Sequence, residues 1–135
     1  MFMKKVVIGL LTIFALAACG GSSKSIQGQW KLVSYGSPSN QTPAVSDVET
    51  SIEFDSNGRM SGNVGCNSFG GDYKVDGDKI TFSPVMSTMM FCEAVAEQEQ
   101  GTLAVLQDKT TFVLDGNTLT ITSADGNSSI VLERK

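Results

Sequence analysis

Four dipeptides constrain this chain more than anything else in it: Asn57-Gly58, Asp76-Gly77, Asp115-Gly116 and Asp125-Gly126. Asn-Gly and Asp-Gly favour tight hairpin turns, because the glycine reaches positive φ and the preceding side chain hydrogen-bonds locally. Around these turns apolar residues recur every second position: Trp30 and Leu32, Ile52 and Phe54, Ile80 and Phe82, Phe112 and Leu114, Leu119 and Ile121, Ile130 and Leu132. Period-two alternation is the pattern of a strand with one buried face. The chain therefore reads as mainly β, with about eight short antiparallel strands. A closed or nearly closed barrel hides the edges of such a sheet, and a two-sheet sandwich is the alternative.

The first strand runs from Gly28 to about Tyr35, and Met60 to Val64 returns after the Asn57-Gly58 turn. Between Gly36 and Asp47, Ser, Pro and Asn predominate, which predicts a loop long enough to be functional or mobile. Gly62, Gly65, Gly70 and Gly71 lie close together and suggest bulges or close backbone packing. They do not form a phosphate cradle: no Walker lysine-serine pair follows, and Asp72 would repel the anion. One helix is expected, from Glu93 to about Gln107, with Val95, Gln98, Thr102, Leu103 and Leu106 on its buried face. Glu93 and Glu97 suit its N-terminal dipole, and Gly101 weakens it by about 1 kcal/mol.

Residues 1–18 form a secretory signal: Lys4-Lys5, an apolar run from Val6 to Leu16, then Ala17-Ala18. The run is short for a membrane-spanning helix. A cysteine directly after Leu16-Ala17-Ala18 resembles a bacterial lipobox, which implies cleavage before Cys19 and lipid on its sulfur; ordinary cleavage leaving a bare cysteine is the alternative. Residues 19–26 then read as lipidated cysteine and flexible tether, and 27–135 as one domain. Gly20 is non-acidic, which in lipoproteins of double-membraned bacteria resembles outer-membrane sorting rather than inner-membrane retention; the expected location is the outer membrane facing the periplasm, although Gly20 does not decide which face. From Cys19 onward eight basic residues face fourteen acidic ones, a net charge of −6. Such a chain is a poor nucleic-acid binder and gains nothing from anionic headgroups, so the acyl chains alone should hold it to the membrane.

Cys66 and Cys92 remain. In an exported protein an even pair suggests a disulfide, the rival being a reactive or metal-binding thiol pair. The chain has no histidine, so a zinc site from two isolated cysteines is poor and a Ser-His-Asp triad is impossible. Met86, Met89 and Met90 offer soft thioethers for Cu(I), but in apolar surroundings methionine is more often core filler. Asp72, Asp76 and Asp78 lack the glutamate an EF-hand requires. The expectation is no cofactor, no metal and no catalysis.

Trp30-x-Leu32, Ile52-x-Phe54, Gly58, Gly62, Gly65-Cys66-Asn67, Gly71-x-Tyr73 and Thr88-x-Met90-x-Cys92 together resemble the META (HslJ-like) domain family, over Gln27 to Glu133. The resemblance implies a small β-barrel of lipocalin-like topology with one helix, and a bonded pair at Cys66 and Cys92. The resemblance also implies an envelope lipoprotein, as members often are, linked to heat shock, novobiocin tolerance, motility or virulence, with no established catalytic residue. Met89 stands where related sequences often carry arginine. The reading is a monomeric, non-enzymatic, lipid-anchored envelope factor in stress or antibiotic tolerance, working through an envelope protein partner at the Gly36–Asp47 loop or the helix face. Its first alternative is a barrel that binds a small apolar ligand; the second is an enzyme using two convergent carboxylates, for which no local arrangement nominates a pair.

Overall fold

The computed structural model describes residues 25–135; the signal sequence, Cys19 and the tether as far as Lys24 lie outside the described residues. The chain forms β1 (Gly28–Ser37), β2 (Asn40–Pro43), β3 (Ser51–Phe54), β4 (Arg59–Asn63), β5 (Ser68–Asp76), β6 (Lys79–Phe82), β7 (Met86–Ser87), α1 (Ala96–Val105), β8 (Lys109–Asp115), β9 (Thr118–Thr122) and β10 (Ser129–Arg134). The glycines of the four turns, Gly58, Gly77, Gly116 and Gly126, take φ of +80°, +60°, +58° and +74°. At the first turn Asp55 Oδ1 also accepts from the backbone N–H groups of Asn57 and Arg59, both at 2.8 Å. These local choices set the register of each hairpin.

Eight strands follow one another around an antiparallel barrel in the order β1-β3-β4-β5-β6-β8-β9-β10, and β10 pairs back onto β1. That last pairing makes the sheet a barrel and not a sandwich. β1 serves three neighbours: Gly28–Trp30 pair with β3, Ser34–Ser37 pair with β2, and the opposite edge pairs with β10 from Trp30 to Gly36, with a bulge between Leu32 and Ser34. Gly36–Asp47 is therefore not a free loop. It contains β2, and Gln41 ties it down by donating to Ser37 O (2.9 Å) and Ser129 Oγ (2.8 Å) while accepting from Ser34 Oγ (2.8 Å).

The inward-facing residues fill the barrel. Trp30, Phe54, Phe69, Phe82 and Leu119 are all buried together with Ile52, Met60, Ile80, Ile121, Ile130 and Leu132. Trp30 donates its indole N–H to Ile26 O (2.8 Å) and has the Arg134 guanidinium 4.2 Å from its ring centroid, so a polar edge and a cation stabilise a fully buried ring. An eight-stranded barrel either fills with side chains or holds one ligand, and this one is filled.

The helix is shorter than its sequence pattern suggests. Glu93–Val95 form a 3₁₀ turn, and α1 ends at Val105. Its buried residues include Gln98, Thr102 and, beyond the expected set, Glu99 and Val105; Leu103 is only partly buried. α1 lies across one mouth of the barrel. Gln98 accepts from Val45 N (2.8 Å) and donates to Val64 O (2.6 Å), joining the β2–β3 and β4–β5 connections. Gly101 has a positive reason to be there: a Cβ would stand 2.7 Å from the Tyr35 ring.

Candidate contact surface

After β6 the chain stops pairing at Pro84, where an amide donor is missing. It rejoins β5 for two residues, Met86 opposite Gly70 and Ser87 opposite Phe69, and then crosses the barrel rim to Cys92. A disulfide joins Cys92 to Cys66, with the two Cα atoms 6.1 Å apart. Between these ties Asn67 holds the loop by all its side-chain hydrogen-bonding groups. Its Nδ2 donates to Met90 O (2.8 Å) and Glu99 Oε2 (2.9 Å), and its Oδ1 accepts from Thr88 Oγ1 (2.9 Å) and Met90 N (2.8 Å). Thr88 N donates to Ser68 O (3.0 Å), which extends the β5 pairing by one more step.

Glu99 supports this clamp from below. Its Oε1 accepts from the backbone N–H groups of Cys66 and Asn67, both at 2.5 Å, and its Oε2 from Asn67 Nδ2. Burial pushes the carboxyl pKa up; the three donors outweigh it and hold the pKa below the ordinary 4.5. The group is ionised and about three of its four lone-pair sites are committed, so it braces the backbone rather than offering a proton. Gly65 lets α1 approach: a Cβ there would meet Val95 side-chain carbons at 2.8 Å.

The pinned loop turns apolar side chains outward. Met89 is 94% exposed, Met86 80%, Phe91 78% and Met90 60%. Methionine at these three positions is thus not core filler, and Met60 takes that role on β4. A depression of about 310 Å³ lies beside Asn67, Met89, Met90, Phe91, Ala96 and Leu103, and a second of about 580 Å³ runs along Arg59, Phe69, Gly71, Asp72 and Met86. Four large exposed apolar side chains within six residues of a fixed backbone form a patch of the kind used for contact.

The residues singled out from the sequence divide into two groups. Cys66, Cys92, Gly65, Asn67, Thr88 and Met90 converge on the clamp. Gly71 packs beside Pro84 and Val85 at the start of the loop. Trp30 and Tyr73 stand apart in the barrel; Tyr73 packs edge-on against Phe54 with centroids 5.0 Å apart and donates its hydroxyl to Asp55 O. Asp72 pairs with Arg59 (3.0 Å) and Asp78 with Lys79 (3.7 Å), so the acidic trio does not converge. Glu99 was the residue not foreseen, although it lies four positions after Val95 and three before Thr102, on the same helical face.

Among solved structures the chain resembles an NMR structure of a protein from Burkholderia xenovorans, with TM-score 0.65 and 20% identity over 81% of this chain and 82% of that one. It also resembles a second protein solved by NMR, with TM-score 0.61 and 19% identity over 79% and 88%. A crystal structure of a DUF4847 family protein from Bacteroides vulgatus matches with TM-score 0.59 and 14% identity over 81% and 93%. These likenesses are of fold. No curated protein matches the chain. The META domain family model matches residues 24–135, the whole of the barrel, its helix and the clamped loop, and the chain belongs to the META domain family.

Proposed function

We propose that this META domain is a non-enzymatic lipoprotein of the outer membrane, anchored through Cys19 and facing the periplasm, that contributes to stress or antibiotic tolerance by binding another envelope protein. The contact surface is the Met86–Phe91 loop, not the Gly36–Asp47 segment or the helix face. The observation that carries the reading is the combination of a backbone locked by Asn67 and the disulfide with side chains left exposed. A rigid surface loses little entropy on binding, so its apolar area converts to affinity efficiently.

The occupant is a protein and not the anchoring bilayer. Ser25, where the described chain begins, lies beside Tyr73, Lys74 and Val75 near the far end of β5, whereas the loop is held at its Ser68 end. Six residues of strand separate Lys74 from Ser68, about 20 Å at 3.3 Å per residue. A tether of six residues has a root-mean-square reach of only about 12–15 Å. The patch then points away from the membrane that holds Cys19, and a net charge of −6 gives no attraction to anionic lipid. The filled interior speaks against a small apolar ligand inside the barrel.

The test is a deletion strain complemented with wild type or with Met86→Asp/Met89→Asp, assayed for survival of heat and of bulky hydrophobic antibiotics, alongside a photo-crosslinker at position 91. The double variant should fold normally, fail to restore tolerance and lose the crosslinked adduct. Full restoration of tolerance by the double variant would sink the reading.

A further inference from the structure

The six methionines of the chain fall into three classes. Met1 and Met3 precede Cys19, Met60 is buried in the barrel with no exposure, and Met86, Met89 and Met90 crowd the contact loop at 80%, 94% and 60% exposure. Cys66 and Cys92 are tied to each other, so among the described residues no free thiol competes for an oxidant. The three thioethers are therefore the most accessible soft nucleophiles on the domain. Their backbone is held independently of their side chains, through Asn67, Thr88 and the disulfide, so a change at sulfur alters the surface and not the fold.

We propose that Met86, Met89 and Met90 are sites of reversible oxidation, at which a hypohalous acid or peroxide converts the apolar contact patch into a polar one and releases the partner. This rests on the contact reading of the same loop. A thioether lone pair attacks the oxygen of hypochlorous acid, the S–O bond forms, the O–Cl bond breaks, chloride leaves and the hydroxyl proton passes to water. The product sulfoxide is polar and chiral, and a patch built on polarisable thioethers loses its apolar character. A dithiol-dependent sulfoxide reductase reverses the step, yielding the thioether, water and a disulfide.

The sequence provides a convenient readout. Trypsin cuts after Arg59, Lys74, Lys79 and Lys109, so after reduction Met60 and the three loop methionines fall in separate peptides, residues 60–74 and 80–109. The purified lipoprotein in detergent is treated with limiting hypochlorite and digested, and cells carrying the position-91 crosslinker receive the same treatment. Sulfoxide should appear in peptide 80–109 at least roughly tenfold ahead of Met60, the melting temperature should hold, and the adduct should fall about tenfold. A Met86→Leu/Met89→Leu/Met90→Leu variant, apolar but inert, should keep its adduct under hypochlorite. Oxidation of Met60 in step with the loop, a melting point that drops with loop oxidation, or loss of the adduct in the leucine variant overturns the redox proposal and leaves the contact reading standing. Absence of the adduct in untreated wild type overturns both.

Discussion

Replacing Glu99 by glutamine isolates the charge beneath the loop clamp. The carboxylate accepts three hydrogen bonds, two from the backbone N–H groups of Cys66 and Asn67 and one from Asn67 Nδ2. Glutamine has one oxygen. If that oxygen keeps the two backbone donors, its NH₂ faces the Asn67 NH₂, donor against donor. The two surviving bonds fall from charged to neutral strength, a loss of about 1 kcal/mol each, and the third is lost outright. The total is about 3 kcal/mol, a large share of a typical 5–15 kcal/mol stability. The loss should depend on pH with a definite sign. The folded-state pKa of Glu99 lies below its ordinary 4.5, so the charge stabilises the fold above that value and the benefit fades as pH falls through the folded pKa. Other carboxylates titrate too, but they cancel between wild type and Glu99→Gln. The gap between the two proteins should be full at neutral pH and should shrink as pH falls below the ordinary 4.5 and through the lowered folded-state pKa, where the wild-type group takes up its proton and comes to resemble the amide. Urea unfolding followed by the fluorescence of Trp30, the only tryptophan and fully buried, reads both values. A gap below about 1 kcal/mol at neutral pH, or one that stays constant through the acid range, would refute the argument.

Two further outcomes follow from the same geometry. Cys66→Ser with Cys92→Ser removes a crosslink spanning 26 residues and should lower stability by about 2–4 kcal/mol while the far-ultraviolet β signature persists; two free thiols by mass spectrometry in the native protein would end that expectation. Gly101→Ala should destabilise by about 1–2 kcal/mol although alanine is the better helix former, because its Cβ would press on the Tyr35 ring; a raised melting temperature would show that the ring yields without cost.

The barrel was legible because its information is local. Each turn glycine and each alternating run could be read within a window of a few residues, and the Asn57-Gly58 and Asp115-Gly116 hairpins form where the dipeptides stand. β2 escaped notice because Asn40–Pro43 has no apolar alternation; its place comes from Gln41 reaching Ser129, far along the chain. The helix face was read with Glu99 left out, since glutamate is rarely buried without partners. Its partners here are amides at Cys66 and Asn67, more than thirty positions away. The loop methionines were harder still. A short apolar run without alternation does not reveal whether neighbours will cover it, and here Pro84 and the Asn67 clamp carry the run over the rim with none of the described residues above it.

The pairing of β10 with β1 has a consequence for how the molecule comes into being. Among the described residues, Ser129–Arg134 supply the only partner for this edge of Trp30–Gly36, at a separation of about a hundred residues. A chain that emerges amino end first must carry β1 with that edge bare until Ser129–Arg134 arrive. The seam is therefore the slowest kind of contact to make, because the whole intervening chain must be brought into place around it. Any product truncated ahead of Ser129 would present two open strands, at β1 and β9, ready to join neighbouring chains. The barrel thus cannot close before β10 is in place, and that strand acts as the latch that distinguishes a closed barrel from an aggregation-prone one.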